Sequence, residues 1–308
     1  MRAECLRTIE EAALADARVV VVASDPGAGF MPELAKKYPE RLMIEGVCEQ
    51  GLVGMAAGMA AEGFYPYIVM IAAFGTRRCY EQLLLDFGLH GFSGCLVGIG
   101  GGFHYSVLGP THVAVDDLML TLAIPGSVVF APAEPDEAIT LTRCARDLRG
   151  LSYLRVSATT EALSNSGGQI IVGKGRVLDA PASVLFISCG SATLAAKKAA
   201  GALAQSGIAA GVLHLHTLKP LDVQTIRSCA EKANVVLCVE EHRRFGGLSG
   251  LVLQALADAE KPVTLPRFVS VGVGDDFPSG YGSYDDMARH YEMTGDALAE
   301  RARALLSS

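Results

Sequence analysis

No apolar stretch of this sequence is long enough to cross a bilayer. The longest uninterrupted one, Tyr67 to Phe74 (YIVMIAAF), has eight residues, where a spanning helix needs about 20. No cluster of Lys and Arg exceeds a pair, and 26 basic residues stand against 33 acidic ones for a formal net charge of −7. Nucleic acid and anionic membrane surfaces are therefore not expected partners. The eight cysteines form no C-x-x-C pair and no Cys/His cluster with metal spacing. Most lie in apolar runs, where a thiol behaves as a small hydrophobe, and they read as reduced residues of a cytoplasmic protein. Neither half carries G-x-G-x-x-G after its first strand, so a dinucleotide fold lacks its fingerprint. The opening MRAECLRTIEEAALADA carries acids and no apolar core, unlike a secretory signal.

What is present is hydrophobic. Half of the 308 residues are apolar and the mean hydropathy is +0.33. Two explanations stand side by side: a large core of parallel strands buried on both faces, or a large subunit interface. The length suits two domains. Short apolar runs at Arg18–Ser24, Tyr67–Ala73, Cys95–Ile99, Ser127–Ala131 and Ser152–Val156 read as strands. Helical patterns at Val47–Ala61, Arg77–Leu89, Val113–Leu122 and Pro135–Leu148 separate them. A Ser/Thr/Gly-rich stretch, ATTEALSNSGGQ, then reads as a linker. Strands at Val184–Ser188, Ala210–Leu215, Val235–Val239 and Phe268–Val271 follow, alternating with helices at Ser191–Gln205, Val223–Lys232, Leu248–Ala259 and Asp296–Leu306. The expected fold is α/β: two doubly wound domains with mainly parallel sheets, at 1–160 and 178–308, joined by a linker at 161–177.

Four features at the C-terminal ends of expected strands carry the chemistry, where open α/β sheets bind ligands. Glu49 heads VCEQGLVGMAAGMAA, whose stretch from Leu52 to Ala61 holds no charge. A helix apolar on all sides is buried, so its leading carboxylate is expected to be buried too and to need a partner or a role. Phe74 ends an apolar strand just before Gly75-Thr76-Arg77-Arg78. The loop GGGFHYSVLGPTH, Gly100 to His112, offers His104 and His112. Arg155 lies at the end of the last strand of the first half. Each alone also fits a plain structural role: a helix-end acid, a core aromatic, a capping or exposed histidine, an ion-paired arginine.

Their order and spacing resemble those of the transketolase family, in its C-terminal half. The matching segments are YPERLMIEGVCEQGLVGMAAGMAAEGFYPY, FGTRRCYEQLLLD, GGGFHYSVLGPTHVAVDDL and APAEPDEA, then GKGRVL, TLKPLD and EEH followed by FGGLSG, and they run along essentially the whole chain. The resemblance implies a pyrimidine-binding domain followed by a transketolase C-terminal domain, with thiamine diphosphate as cofactor. It implies that Glu49 hydrogen-bonds the pyrimidine ring and that Phe74 stacks on it, with Asp25 a further cofactor contact. It implies His112 and His104 as catalytic residues, with His112 also at the substrate, and Arg155 as a contact to substrate phosphate. The family's G-D-G…N segment, which anchors the diphosphate and a divalent metal, Mg or Ca, is not in this sequence. A separate N-terminal subunit is therefore the expected partner, in an α2β2 heterotetramer acting on small sugar or keto substrates. Leu108 stands where single-chain relatives carry an Asp that reads the donor sugar, which leaves the donor open. The rival readings are the beta subunit of a 2-oxo acid dehydrogenase, a 1-deoxyxylulose-5-phosphate synthase-like carboligase, and a non-catalytic binding subunit.

Overall fold

The computed structural model describes residues 1–24, 31–157, 159, 161–163, 169–258, 266–278 and 281–307. Its strands are β1 (Val19–Ala23), β2 (Leu42–Ile44), β3 (Tyr65–Ile71), β4 (Gly94–Ile99), β5 (Val128–Phe130), β6 (Leu151–Val156), β7 (Arg176–Asp179), β8 (Val184–Ser188), β9 (Ala210–His214), β10 (Thr217–Lys219), β11 (Val235–Arg243) and β12 (Arg267–Val273). They form a seven-stranded sheet ordered β10-β5-β6-β4-β3-β1-β2 and a five-stranded sheet ordered β12-β11-β8-β9-β7. All pairings are parallel except β10 with β5 and β7 with β9. Strands β1, β4 and β6 are buried at every position, which is what continuous apolar runs produce when helices cover both faces.

The structure refines the reading of the elements in five places. Strand β10 lies in the second half of the sequence yet extends the first sheet, and at three residues it is too short to show a period. Strand β7 begins at Arg176, inside the stretch read as linker. Strand β3 ends at Ile71, and a helix takes over at Ala72–Arg77, so Phe74 sits on a helix and not at a strand end. Ala72 and Ala73 favour that helix, and the Thr76 hydroxyl donates back to the Ala72 carbonyl at 2.8 Å. The helix expected at Arg77–Leu89 is divided: a turn at Tyr80–Gln82 leads into a π-helix at Leu83–Leu89. A helix at Arg2–Ala15 was not expected, although Cys5, Ile9 and Ala13 recur every four residues and are all buried.

The two sheets are tied together by backbone bonds. Ala131 N–H donates to the His216 carbonyl at 2.9 Å, Gly190 N–H to Ala131 at 3.0 Å, and Arg243 N–H to Val115 at 2.9 Å. Beneath them lies a buried polar cluster. Arg176 donates to Glu134 at 2.7 Å and also bonds Glu137. The second oxygen of Glu137 meets His214 Nε2 at 2.9 Å and the Ala133 N–H at 2.8 Å. His214 Nδ1 in turn faces Thr193 Oγ1 at 2.8 Å. Paired groups of this kind are retained inside a protein, whereas single ones are costly.

His216, beside this cluster, is fully buried, with Nδ1 2.9 Å from Thr217 Oγ1. Burial pushes its pKa down to about 4, against about 6.5 in the unfolded chain. The unfolded state therefore binds the extra proton first, so this contribution is fully present above pH 6.5 and is lost as pH falls toward 4. At roughly 1.4 kcal/mol per pKa unit the loss amounts to about 3–4 kcal/mol. His216→Gln is expected to flatten the acid limb of a urea-unfolding series between pH 7 and pH 4.5. An unchanged slope would assign the acid sensitivity to other groups.

Candidate functional site

Glu49 is the first residue of the helix Glu49–Ala61, which the Cys48 side chain does not cap. Its side chain is 4% exposed, and both carboxylate oxygens accept from Arg78 Nη1, at 3.0 and 3.1 Å. The helix itself is not buried on every side, contrary to the sequence reading. Gly51, Gly54 and Gly58 make an exposed face. A methyl group added at Gly51 or Gly58 would meet nothing within 4 Å, so nothing in this chain demands glycine there.

Phe74, half-buried, faces His112 edge-on, with ring centroids 4.8 Å apart at 68°. The Arg78 guanidinium carbon lies 4.2 Å from the Phe74 ring centroid. Glu49, Phe74 and His112 thus come together from three separate segments, with Arg78 against two of them. Arg77 builds the arrangement from behind. Its guanidinium donates to both oxygens of Asp116 at 2.9 Å and to the carbonyl of Val113 at 2.8 Å. It thereby stitches the Ala72–Arg77 helix to the chain following His112. Thr111 Oγ1 contacts His112 Nδ1 at 2.9 Å and fixes the ring. The thiol of Cys79, one residue beyond Arg78, is pushed up to about 12 by burial and by the Glu49 charge, so it stays neutral. Sequence reasoning passed over Arg77 and Arg78. Their signal was an Arg-Arg pair three residues after Phe74 in a chain with a net charge of −7.

The other expected residues go elsewhere. Arg155 is 5% exposed and locked inside. Its Nε donates to Asp117 at 2.8 Å, and its Nη2 to Asp117 at 3.0 Å and to the carbonyls of Ala114 and Glu241, both at 2.7 Å. Burial alone would favour a neutral guanidinium, but Asp117 outweighs it and keeps the charge. These donors are used within the chain, across the two halves. The glycines that open the loop serve the same cluster. A methyl at Gly101 would come within 2.5 Å of Arg155 Cγ, and one at Gly102, where φ is +67°, within 2.1 Å of Glu241 Oε2.

His104 is likewise not brought to Glu49. It lines a different cavity of about 400 Å³ with Ser191, Lys198 and Tyr284, and burial and the Arg2 charge lower its pKa. Leu108 closes a 3-10 turn, Ser106–Leu108, and is 49% exposed. Asp25 lies outside the described residues. Among the described residues no group of three or more His, Cys, Asp or Glu side chains stands together to hold a metal ion. No helix among them is long and apolar enough to cross a membrane.

Residues 1–160 match the family model for the transketolase pyrimidine-binding domain, and residues 173–295 that for the transketolase C-terminal domain. The chain is 28% identical over 298 residues to one subunit of the apulose-4-phosphate transketolase of Phocaeicola vulgatus, covering 96% of this chain and 94% of that one. It is 32% identical over 262 residues to 1-deoxy-D-xylulose-5-phosphate synthase 1 of Geobacter sulfurreducens, covering 84% of this chain and 40% of that longer protein. A solved structure described as a split-gene transketolase, inactive beta4 tetramer, superposes with a TM-score of 0.86 at 26% identity, covering 99% of this chain and 97% of that one.

Proposed function

Because this chain belongs to the transketolase family, we propose that it is the C-terminal subunit of a split, thiamine-diphosphate-dependent transketolase. It moves a two-carbon ketol or related acyl-anion unit from a ketose or keto donor to an aldehyde acceptor. The observation that carries this reading is the buried Glu49 carboxylate and the Phe74 ring brought to one place, both against Arg78, with His112 packed edge-to-face with Phe74. A flat, basic heteroaromatic ring suits that pair of groups. The planar cationic head of Arg78 already meets both, hydrogen-bonded to the carboxylate and laid on the aromatic face.

When bound, the cofactor supplies a carbanion-stabilising centre that no side chain offers. Glu49 would hold a proton at the pyrimidine nitrogen, in a setting where water does not compete for it. Phe74 would support the ring, and His112 would donate to or accept from a substrate oxygen. The diphosphate and its divalent metal fall to a separate N-terminal subunit, since the G-D-G…N segment is not in this sequence. The exposed glycine face at Gly51, Gly54 and Gly58 supports such a partner. Each glycine costs up to about 1 kcal/mol against alanine in a helix, and a close-packed neighbouring subunit gives that cost a reason. Exposed Val47 lies just before the same helix. The assembly we propose is an α2β2 heterotetramer.

Calorimetry tests it. The chain alone is expected to bind thiamine diphosphate weakly or not at all, and the complex with its partner to bind it tightly in a metal-dependent way. Tight, metal-dependent binding by the chain alone would sink the split-site reading.

Leu108 bears on the donor. Sites that hydrogen-bond a substrate hydroxyl discriminate strongly, and apolar ones poorly. Leu108→Asp is expected to raise kcat/KM for sugar-phosphate ketoses relative to donors without that hydroxyl by about tenfold, for one bond worth roughly 1.4 kcal/mol. Position 108 is exposed, so the new carboxylate is not forced into the core. A donor ratio that does not move would show that this position plays no part in donor choice.

A further inference from the structure

We propose that Arg78 and the pyrimidine ring of the cofactor take turns in one seat, so that the arginine closes this half of the site until the ring displaces it. The inference rests on the cofactor reading above and adds to it a residue that competes with the cofactor.

The contacts define the competition. The Arg78 guanidinium holds both oxygens of Glu49 and lies 4.2 Å from the Phe74 ring centroid. A pyrimidine ring bound through Glu49 and stacked on Phe74 uses the same carboxylate and the same aromatic face. Both occupants are flat, both hydrogen-bond the carboxylate, the guanidinium as an N–H donor and the pyrimidine nitrogen through the proton it would share with Glu49, and each excludes the other. A guanidinium is suited to the role, because its planar fork matches a carboxylate and its face stacks on an aromatic ring.

The two neighbouring arginines divide the work. Arg77 is tied to Asp116 and to the carbonyl of Val113 and belongs to the scaffold. Arg78 is 47% exposed, while Glu49 is 4% exposed. The arginine can therefore swing into solvent and leave the carboxylate where it is. Its backbone does not need to move, since the Arg78 N–H donates to the Phe74 carbonyl at 3.1 Å as part of the helix end. An ion pair with one half-exposed partner is weak enough to be broken by a better-fitting group. While it lasts, it keeps a buried carboxylate paired in the chain before the ring arrives. Cofactor entry becomes a displacement, and the apparent affinity is lowered by the fraction of molecules in which the seat is open.

The test uses the complete complex with the N-terminal partner. Thiamine diphosphate affinity is measured by calorimetry and its association rate by rapid mixing, for wild type, Arg78→Ala and Arg78→Met. Both variants are expected to bind about tenfold more tightly and to associate faster, as when the seat is open in about one wild-type molecule in ten. Low-millimolar guanidinium, a free copy of the arginine head, is expected to return Arg78→Ala toward the wild-type affinity, whereas sodium chloride at the same concentration does not. Equal or weaker binding by both variants overturns the proposal and makes Arg78 a bystander or a cofactor contact. Failure of the wild-type and variant complexes alike to bind thiamine diphosphate overturns the cofactor reading itself, and is told apart by the absence of any heat.

Discussion

Glu49→Gln in the assembled complex is expected to lower turnover by roughly 10²–10⁴-fold, the usual worth of a positioned acid–base group. Glutamine keeps the size and the hydrogen-bonding plane of the side chain but cannot hold and release the proton. The 4% exposure of Glu49 means that bulk water does not replace the lost function. Exchange of the C2 proton of the bound cofactor, followed by NMR, is expected to slow in parallel, because the same proton transfer governs both. The fold is expected to stay intact, since Glu49 is bonded to a half-exposed arginine and to no core group. Exchange at the wild-type rate would reduce Glu49 to an acid at a helix end.

Asp117→Ala is expected to destabilise the chain by about 3–5 kcal/mol, the cost of removing one member of a buried ion pair. Asp117 is fully buried and accepts from Arg155 Nε at 2.8 Å, from Arg155 Nη2 at 3.0 Å and from the Tyr153 hydroxyl at 2.6 Å. Without it the Arg155 charge stays inside with only carbonyl partners, and the tyrosine hydroxyl loses its acceptor. Because Arg155 also reaches the Glu241 carbonyl, the loss is expected to loosen the contact between the two sheets as well. Urea unfolding reads the effect. The double variant Asp117→Leu with Arg155→Met is expected to recover much of the stability, because apolar groups of similar volume often replace a buried pair without loss. A single variant as stable as wild type would show that Arg155 finds solvent or another acid, which would return it to consideration as a substrate contact.

The architecture was readable in the sequence to the extent that it was written in local period and run length. Continuous apolar runs at Val19–Ala23 and Gly94–Ile99 are strands buried on both faces, and they announce parallel sheets without any tertiary information. The extra edge strand Thr217–Lys219 was not readable, because three residues carry no period and its partner lies some 90 residues away along the chain. Arg155 shows the same limit for function. Its place at a strand end suggested a ligand contact, yet that placement says nothing of Asp117, which the fold brings beneath it. His104 shared a loop with His112, and the turn at Ser106–Leu108 and the reversal at Gly109 send the two side chains to different places.

By itself, then, the sequence determined the two-part α/β plan, the carboxylate that begins the Glu49–Ala61 helix, and the aromatic residue and histidine that accompany it. These depend on residue type, order and spacing, which a chain carries whether or not it is folded. The tertiary structure decided which charges are spent on holding the molecule together and which remain at the site. Arg155 went to the interior, Arg77 to the scaffold and Arg78 to Glu49, although all three are the same residue type. The physical reason is that a charge takes its role from its surroundings. Burial makes an opposite charge obligatory, and only the packed fold determines where that partner stands.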